Sequence, residues 1–286
     1  MIDIIIPVYN ARDTLFSTLS SIAFQSIKDK VTVHIVDDFS SCTYHDILEK
    51  FNFDLNIKYY RLEKNSGPGV ARNFALKRLH GDFVCFVDSD DLFFSYQSLE
   101  YLYKVISKGF DMVSGKVYYE KFSRREFTSS DLHGKIYRRE FIEKNNIVFP
   151  NIRVHEDNIF HNLIRLYNPK CFFIEDIVYV YSDNPNSVTS VDGDIEFKRL
   201  EILIKNSDYV IERAINDKCL EKLIRQFIFE KTKYFSKRYK ILSAKEKRKL
   251  YELIDKSLLD SKYLEETNYV KMKFIIFREN LDKYQR

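Results

Sequence analysis

Through its first two thirds the chain alternates continuous apolar runs with amphipathic stretches. Ile2–Val8 holds a single polar side chain, Asp3, which is the pattern of a strand buried on both faces. Asn10 then reads as the N-cap of a helix carrying Leu15, Leu19, Ile22 and Phe24. Val31–Val36 is a second strand, Ile47–Phe51 sits in a short helix, and Ile57–Leu62 is a third strand. Gly67-Pro68-Gly69 opens a helix through Ala71, Ala75 and Leu79, Gly81 ends it, and Phe83–Val87 is a fourth strand. This spacing predicts an α/β fold, a mostly parallel sheet flanked by helices, with ligands bound beyond the carboxyl ends of the strands. Residues 120–133 are polar and aperiodic and predict a mobile loop. A helix follows near Glu156–Leu166 and a strand near Phe172–Tyr181, and Asn184-Pro185-Asn186 is a turn signal.

The pattern changes beyond Asp194. Glycine and proline disappear, and apolar residues recur at helical spacing: Ile224, Ile228 and Phe235, then Leu250, Leu253 and Ile254. Two domains are expected, a sheet domain over 1–192 and a C-terminal helical region over 193–286. Charge divides the same way. The whole chain of 286 residues carries +4, but residues 191–286 carry +6 and the rest −2. Within Lys231–Lys249 nine of 19 residues are basic and one, Glu246, is acidic.

Composition excludes several classes. Hydrophobic residues at 45% and charged residues at 31% are ordinary for a globular protein and rule out wholesale disorder. Cys42, Cys85, Cys171 and Cys219 lie more than 40 residues apart, which argues against a zinc site or a disulfide framework and fits a reducing compartment. MIDIIIPVYN lacks a basic region before its apolar run, and no stretch of 18 apolar residues occurs, so a cytoplasmic protein is expected.

Three acidic groups fall where chemistry could sit. Asp37-Asp38 follows the second strand, Asp88-Ser89-Asp90-Asp91 follows the fourth, and Glu156-Asp157 opens a helix. Carboxylates crowded this way repel one another unless something cationic lies between them, and Mg²⁺ takes one or two carboxylates plus substrate phosphates. Each group also has a plainer reading. Asp37-Asp38 and Asp88–Asp91 suit turn and capping chemistry, and Glu156-Asp157 suits the positive end of a helix dipole.

The order of the motifs narrows the choice. Ile6-Pro7-Val8-Tyr9-Asn10, Val36-Asp37-Asp38-Phe39-Ser40, Asn65–Asn73, Phe86–Asp91 and His155-Glu156-Asp157 together resemble the glycosyltransferase family 2 pattern over about residues 1–190. The resemblance implies an A-type glycosyltransferase fold and an inverting transfer from a UDP-sugar to a hydroxyl of a glycan or lipid-linked glycan, as in synthesis of capsule, lipooligosaccharide or O-antigen. It implies that Pro7 and Tyr9 form the wall for the nucleobase and that Asp38 accepts uracil N3–H. The Asn65–Gly69 loop closes on the base, and Arg72 orients that loop through an ion pair. Asp88 and Ser89 lie at the ribose or a metal-bound water, and Asp90, with Asp88, holds Mn²⁺ or Mg²⁺. Asp157 is the general base, with Glu156 its alternative. Gly134-Lys135 and Ser187-Val188-Thr189 fall near the diphosphate or acceptor. Phe39-Ser40-Ser41-Cys42 departs from the pattern, which more often has a small residue and another carboxylate there.

Two other functions compete. A sugar nucleotidyltransferase would carry a Gly-rich loop where this chain has Tyr9-Asn10-Ala11-Arg12-Asp13. A nucleic-acid-binding protein could use Lys231–Lys249 with Tyr234, Phe235 and Tyr239, although no nucleic acid is expected. The basic, apolar-interleaved segments 231–249 and 271–278 instead suit an anionic membrane surface, where each Lys or Arg contributes about 1 kcal/mol; a solvated helical face is the plainer account. On the membrane reading the protein sediments with vesicles of anionic lipid and is released by salt. Charge reversal at Lys245, Lys247, Arg248 and Lys249 then abolishes sedimentation, and a wild-type protein indifferent to such vesicles at low salt refutes it.

Overall fold

The computed structural model describes residues 1–127, 131–152 and 156–183, with the single positions Tyr209, Val210, Arg213, Ser243 and Lys245 beyond them. The chain divides into two compact units, Met1–Asn186 and Ser187–Arg286. The expected helical region, its basic segments 231–249 and 271–278, Ser187-Val188-Thr189 and His155 all lie outside the described residues, isolated positions apart. Among the described residues no helix is long and apolar enough to cross a membrane.

In the first unit the elements run β1 (Ile2–Val8), α1 (Arg12–Ala23), β2 (Val31–Asp37), α2 (His45–Leu48), β3 (Asn56–Arg61), α3 (Pro68–Leu76) and β4 (Phe83–Phe86). They continue with β5 (Leu92–Phe93), α4 (Ser98–Ile106), β6 (Met112–Tyr119), β7 (Arg124–Glu126), β8 (Lys135–Arg138), α5 (Arg139–Lys144), α6 (Glu156–Leu166) and β9 (Cys171–Tyr181). One sheet has the order β3-β2-β1-β4-β8-β6-β9-β5, with β7 paired to β6. The strands β1, β2, β3, β4, β6 and β9 point one way and β5, β7 and β8 the other. The sheet is therefore mostly parallel, as expected, with antiparallel β8 wedged between β4 and β6.

The chain winds from β1 out to β3 and then returns to the other side of β1 as β4, so the strand order reverses between β1 and β4. Crevices at such reversals are where ligands of open α/β sheets bind. Pro7 helps to open this one. Pairing with β4 ends at Ile5↔Phe86, and the Ile5 carbonyl accepts from Val87 N–H at 3.1 Å. Pro7, two residues on, presents its missing N–H to the same side, past the end of β4, where no ladder bond is lost. Ile2, Ile4, Ile6 and Val8 face the main core with Leu15, Leu19 and Ile22 of α1 and Leu99 and Leu102 of α4.

Several local expectations are corrected. Asn10 does not cap α1, whose N-cap is Ala11. Asn10 lies in the left-handed region at φ 50°, donates its N–H to Ser40 Oγ (2.9 Å) and accepts from Ser41 N–H at Oδ1 (2.8 Å), stitching together the exits of β1 and β2. Phe24 lies past the end of α1 and is 73% exposed rather than on its buried face. The stretch from 120 to 133 is no featureless loop: β7 pairs with β6, and Leu132 and His133 are buried. Strand β6 escaped the pattern because Ser114, Gly115 and Lys116 interrupt its apolar run where its register against β9 shifts.

At that shift β9 crowds β6. A Cβ on Gly115 would lie 2.6 Å and 2.7 Å from the two γ-carbons of Val178. Gly115→Ala is expected to destabilise the protein by about 1–3 kcal/mol, the usual cost of overpacking, read from the midpoint of urea unfolding. An unchanged midpoint contradicts the close contact.

Candidate active site

Two carboxylates end β2 and face different jobs. Asp37 is fully buried and accepts Ser40 N–H (2.8 Å), the Tyr59 hydroxyl (2.8 Å) and the Arg61 guanidinium (2.5 Å). Burial, and then the Asp37 charge, push the Tyr59 hydroxyl up to about 12. Asp38 accepts Ser66 N–H and Gly67 N–H, one on each oxygen, both at 2.7 Å. It thereby pins the Asn65–Gly69 loop to the end of β2, with Gly67 at φ 93°, a conformation glycine supplies without a Cβ clash. Each Asp38 oxygen keeps a further acceptor position.

Around Asp38 the surface is aromatic. Tyr9 is 54% exposed and Phe39 48% exposed, and they leave adjacent strands at the same edge. Phe39 adopts φ 64°, strained backbone for a bulky residue and of the kind that gathers at ligand sites. The Arg61 guanidinium lies over its ring at 5.2 Å and donates to the Ser40 carbonyl at 2.7 Å. Pro7 lies buried in β1, and Asn65 is half-buried.

A second cluster forms where β4 ends. Asp88 accepts from Arg72 Nη2 at 2.6 Å through Oδ1, and its Oδ2 lies 3.2 Å from His133 Nε2. The Tyr179 hydroxyl accepts the Asp88 N–H (3.2 Å) and donates to Asp91 Oδ2 (2.9 Å), while Asp91 Oδ1 accepts Ser182 N–H (2.9 Å). The His133 ring stacks on Tyr179 at 5.3 Å and meets Tyr181 edge-on at 5.0 Å. One donor atom from each of Asp88, Asp91 and His133 comes within 4.8 Å of the others, a set able to hold a metal ion. Asp90 and Ser89 are half-buried beside this trio and are not part of it.

The protonation preferences share one cause. Burial works to raise Asp88, yet Arg72 and His133 hold it well below the usual carboxylate range. Burial, with Asp88 and Asp90 beside it, pushes Asp91 well up. Asp131 and Asp88 raise His133 despite its burial. The common cause is carboxylates crowded where burial leaves them poorly solvated, offset at Asp88 by Arg72 and His133.

Arg72 is 4% exposed and splits its guanidinium between two carboxylates, Nη1 to Glu156 Oε1 and Nη2 to Asp88 Oδ1, both at 2.6 Å. The ion pairing expected of Arg72 is present, with Asp88 and Glu156 as its partners. The loop from Asn65 to Gly69 is anchored by Asp38, and Arg72, one turn into α3, reaches the exit of β4 and the start of α6. Burial, together with the neighbouring Asp157, raises Glu156 in spite of Arg72. Asp157 is half-buried and accepts from the Asn158 amide at 3.3 Å. A Cβ on Gly69 would lie 3.0 Å from Glu156 Cγ, so Gly69 packs α3 on α6. Gly134 takes φ 65°, and the Nζ of buried Lys135 lies 3.5 Å from Asp131, with burial lowering the lysine.

Sequence reasoning set the Asp37-Asp38 and Asp88–Asp91 groups at one edge, and so they lie, with Tyr9 leaving β1 between them and Arg72 joining Asp88 to Glu156. It did not single out Asp91 or His133, which the structure brings together with Asp88 as a group able to hold a cation. The only sequence signal for His133 was a histidine flanked by Asp131 and Gly134 in a polar stretch.

A mixed sheet with flanking helices and carboxylates gathered at its strand ends is the architecture of an A-type glycosyltransferase domain. The family described as glycosyl transferase family 2 matches residues 3–165, more than half of the chain, and the chain belongs to it. It is 32% identical over 269 residues to the poly(ribitol-phosphate) beta-N-acetylglucosaminyltransferase TarS of Staphylococcus aureus Mu50, covering 83% of this chain and 46% of that protein. It is 28% identical over 239 residues to the minor teichoic acid biosynthesis protein GgaA of Bacillus subtilis 168, covering 73% and 53%. The crystal structure of S. aureus TarS 1–349 in complex with UDP superposes with a TM-score of 0.64 at 26% identity, over 88% of this chain and 78% of that one. The chain spans about half the length of the curated relatives it matches.

Two tyrosines test the hydrogen bonds of the cluster. The buried Tyr137 hydroxyl has no partner among the described residues, whereas Tyr179 serves Asp88 and Asp91. Tyr179→Phe is expected to cost about 1–3 kcal/mol by leaving buried groups unsatisfied, and Tyr137→Phe to cost less than about 0.5 kcal/mol. Equal losses in denaturant titration contradict the assignment.

Proposed function

We propose that this protein is an inverting glycosyltransferase that moves a sugar from a UDP-sugar to a hydroxyl of a bacterial cell-wall glycan of the teichoic-acid type. The observation that supports the reading is the Arg72 bridge from Asp88, one of the Asp88–Asp91–His133 trio, to Glu156 on the first turn of α6, beside Asp157. The relatives' roles with poly(ribitol-phosphate) and minor teichoic acid support this acceptor class over capsule or lipooligosaccharide, and UDP-N-acetylglucosamine is the donor to test first.

Tyr9 and Pro7 wall the uracil, and Asp38 accepts its N3–H with a lone pair the loop amides leave over. Asp88, Asp91 and His133 hold the cation. An imidazole among the donors favours Mn²⁺ over Mg²⁺, which takes oxygen ligands. Bound there, a divalent ion stabilises the charge that develops on the departing diphosphate. Asp157 takes the proton of the acceptor hydroxyl, an assistance of roughly 10²–10⁴-fold. A single base facing the leaving group gives one displacement and hence inversion; a nucleophilic carboxylate would be needed for retention.

UDP binding is expected to require Mn²⁺ and to vanish in EDTA, with Asp91→Asn and His133→Ala weakening it at least about tenfold and Asp90→Asn less. Calorimetry showing full UDP affinity without metal overturns the trio's role, and greater dependence on Asp90 returns the metal to that residue.

Asp157→Asn is expected to keep UDP affinity while losing about 10²–10⁴-fold in turnover of UDP-N-acetylglucosamine. Turnover that persists in Asp157→Asn and stops in Glu156→Gln makes Glu156 the base. Release of UTP with consumption of pyrophosphate instead of UDP favours the nucleotidyltransferase.

A further inference from the structure

We propose that one face of α3 is a strut that fixes the start of α6 against the end of β4, with Arg72 and Asn73 as positioning residues for the base on α6. The inference rests on the reading of Asp157 as that base. Three neighbouring positions of α3 grip the segment leading into α6, each by a different contact. Gly69 lets the helix approach until its missing Cβ would stand 3.0 Å from both Glu156 Cγ and the Pro150 carbonyl oxygen. Asn73 clasps Phe149 in both directions: its Nδ2 donates to the Phe149 carbonyl (2.8 Å), and its Oδ1 accepts the Phe149 N–H (2.9 Å). Arg72 covers the Phe149 ring at 5.4 Å and ends in the two carboxylates, Glu156 of α6 and Asp88 of β4's exit.

The guanidinium works as a bridge and not as a clamp on one partner. Its two terminal nitrogens serve two carboxylates from segments 68 residues apart, while its buried Nε has no partner among the described residues. Planarity fixes the angle between those two bonds, so the spacing of Asp88 and Glu156 is set by one rigid group, a task a lysine ammonium on a flexible stem cannot repeat. Asp88 belongs to the cation trio, and Asp157 follows Glu156 directly. The distance between the donor phosphates and the base is therefore governed by α3. Misplacement of a base by about 1 Å is enough to cost on the order of 10²-fold in rate, so a strut of this kind affects turnover far more than donor binding.

Asn73→Ala and Arg72→Lys in the full chain test this, with Asn73→Ala the milder case because Asn73 touches neither Asp88 nor Glu156. Both are expected to speed hydrogen exchange of the α6 amides at least tenfold while those of β1 and β2 stay protected. Asn73→Ala is also expected to lower kcat for Mn²⁺-dependent turnover of UDP-N-acetylglucosamine at least tenfold with KM within twofold. Unchanged α6 exchange in both variants overturns the strut while leaving the function intact. A rise in KM with kcat preserved overturns it as a positioning device. Faster α6 exchange together with normal turnover by Asp157→Asn overturns the assignment of the base, and the positioning role with it.

Discussion

Carboxylates gathered in a partly desolvated crevice repel one another, and every distinctive feature of this domain answers that constraint. Asp38 is neutralised by two loop amides, Asp37 by Arg61 and a tyrosine hydroxyl, and Asp88 and Glu156 by the shared guanidinium of Arg72. Asp91 receives neutral donors at hydrogen-bonding distance, the Tyr179 hydroxyl and the Ser182 amide, with His133 farther off at 3.7 Å. Its strong preference for a proton follows. Asp91 thus sits buried beside Asp88 without a close cationic partner, against Tyr179 of β9.

The trio able to hold a cation is not the pair that the motif suggested. Asp-x-Asp spacing after a strand names Asp88 and Asp90, but the turn following β4 bends before β5 and carries Asp91 inward at 2% exposure, against Tyr179 of β9. Its partner His133 arrives from the connection before β8, the antiparallel strand wedged beside β4. Neither approach has a local signature. Both depend on which strands become neighbours, and the order β4-β8-β6-β9 is a property of the whole sheet.

The edge at β1 and β2 shows the opposite balance. Pro7, Tyr9 and Asp38 lie at or just beyond the ends of their strands, so sequence spacing places them well, although Asp38 takes its amide partners from the loop at Ser66 and Gly67. Phe39 is the exception there. Its left-handed backbone is held by the stitched exits of β1 and β2 and by Arg61 above its ring, contacts that span from residue 10 to residue 61.

Sequence alone determined the strand–helix alternation, the parallel half of the sheet, the carboxylates at its strand ends and the family. The first three rest on periodicity or on residues adjacent along the chain, where local physics suffices, and the family rests on the resemblance of five motifs in order. Tertiary structure alone decided the partners. Asn10 left its capping role to tie two loops together, and the partners of Arg72 are Asp88 and Glu156. His133 came out of a stretch that looked featureless. A charged or polar side chain settles on whichever buried opposite charge or unmet hydrogen bond lies within reach, and what lies within reach is set by packing between elements distant in sequence.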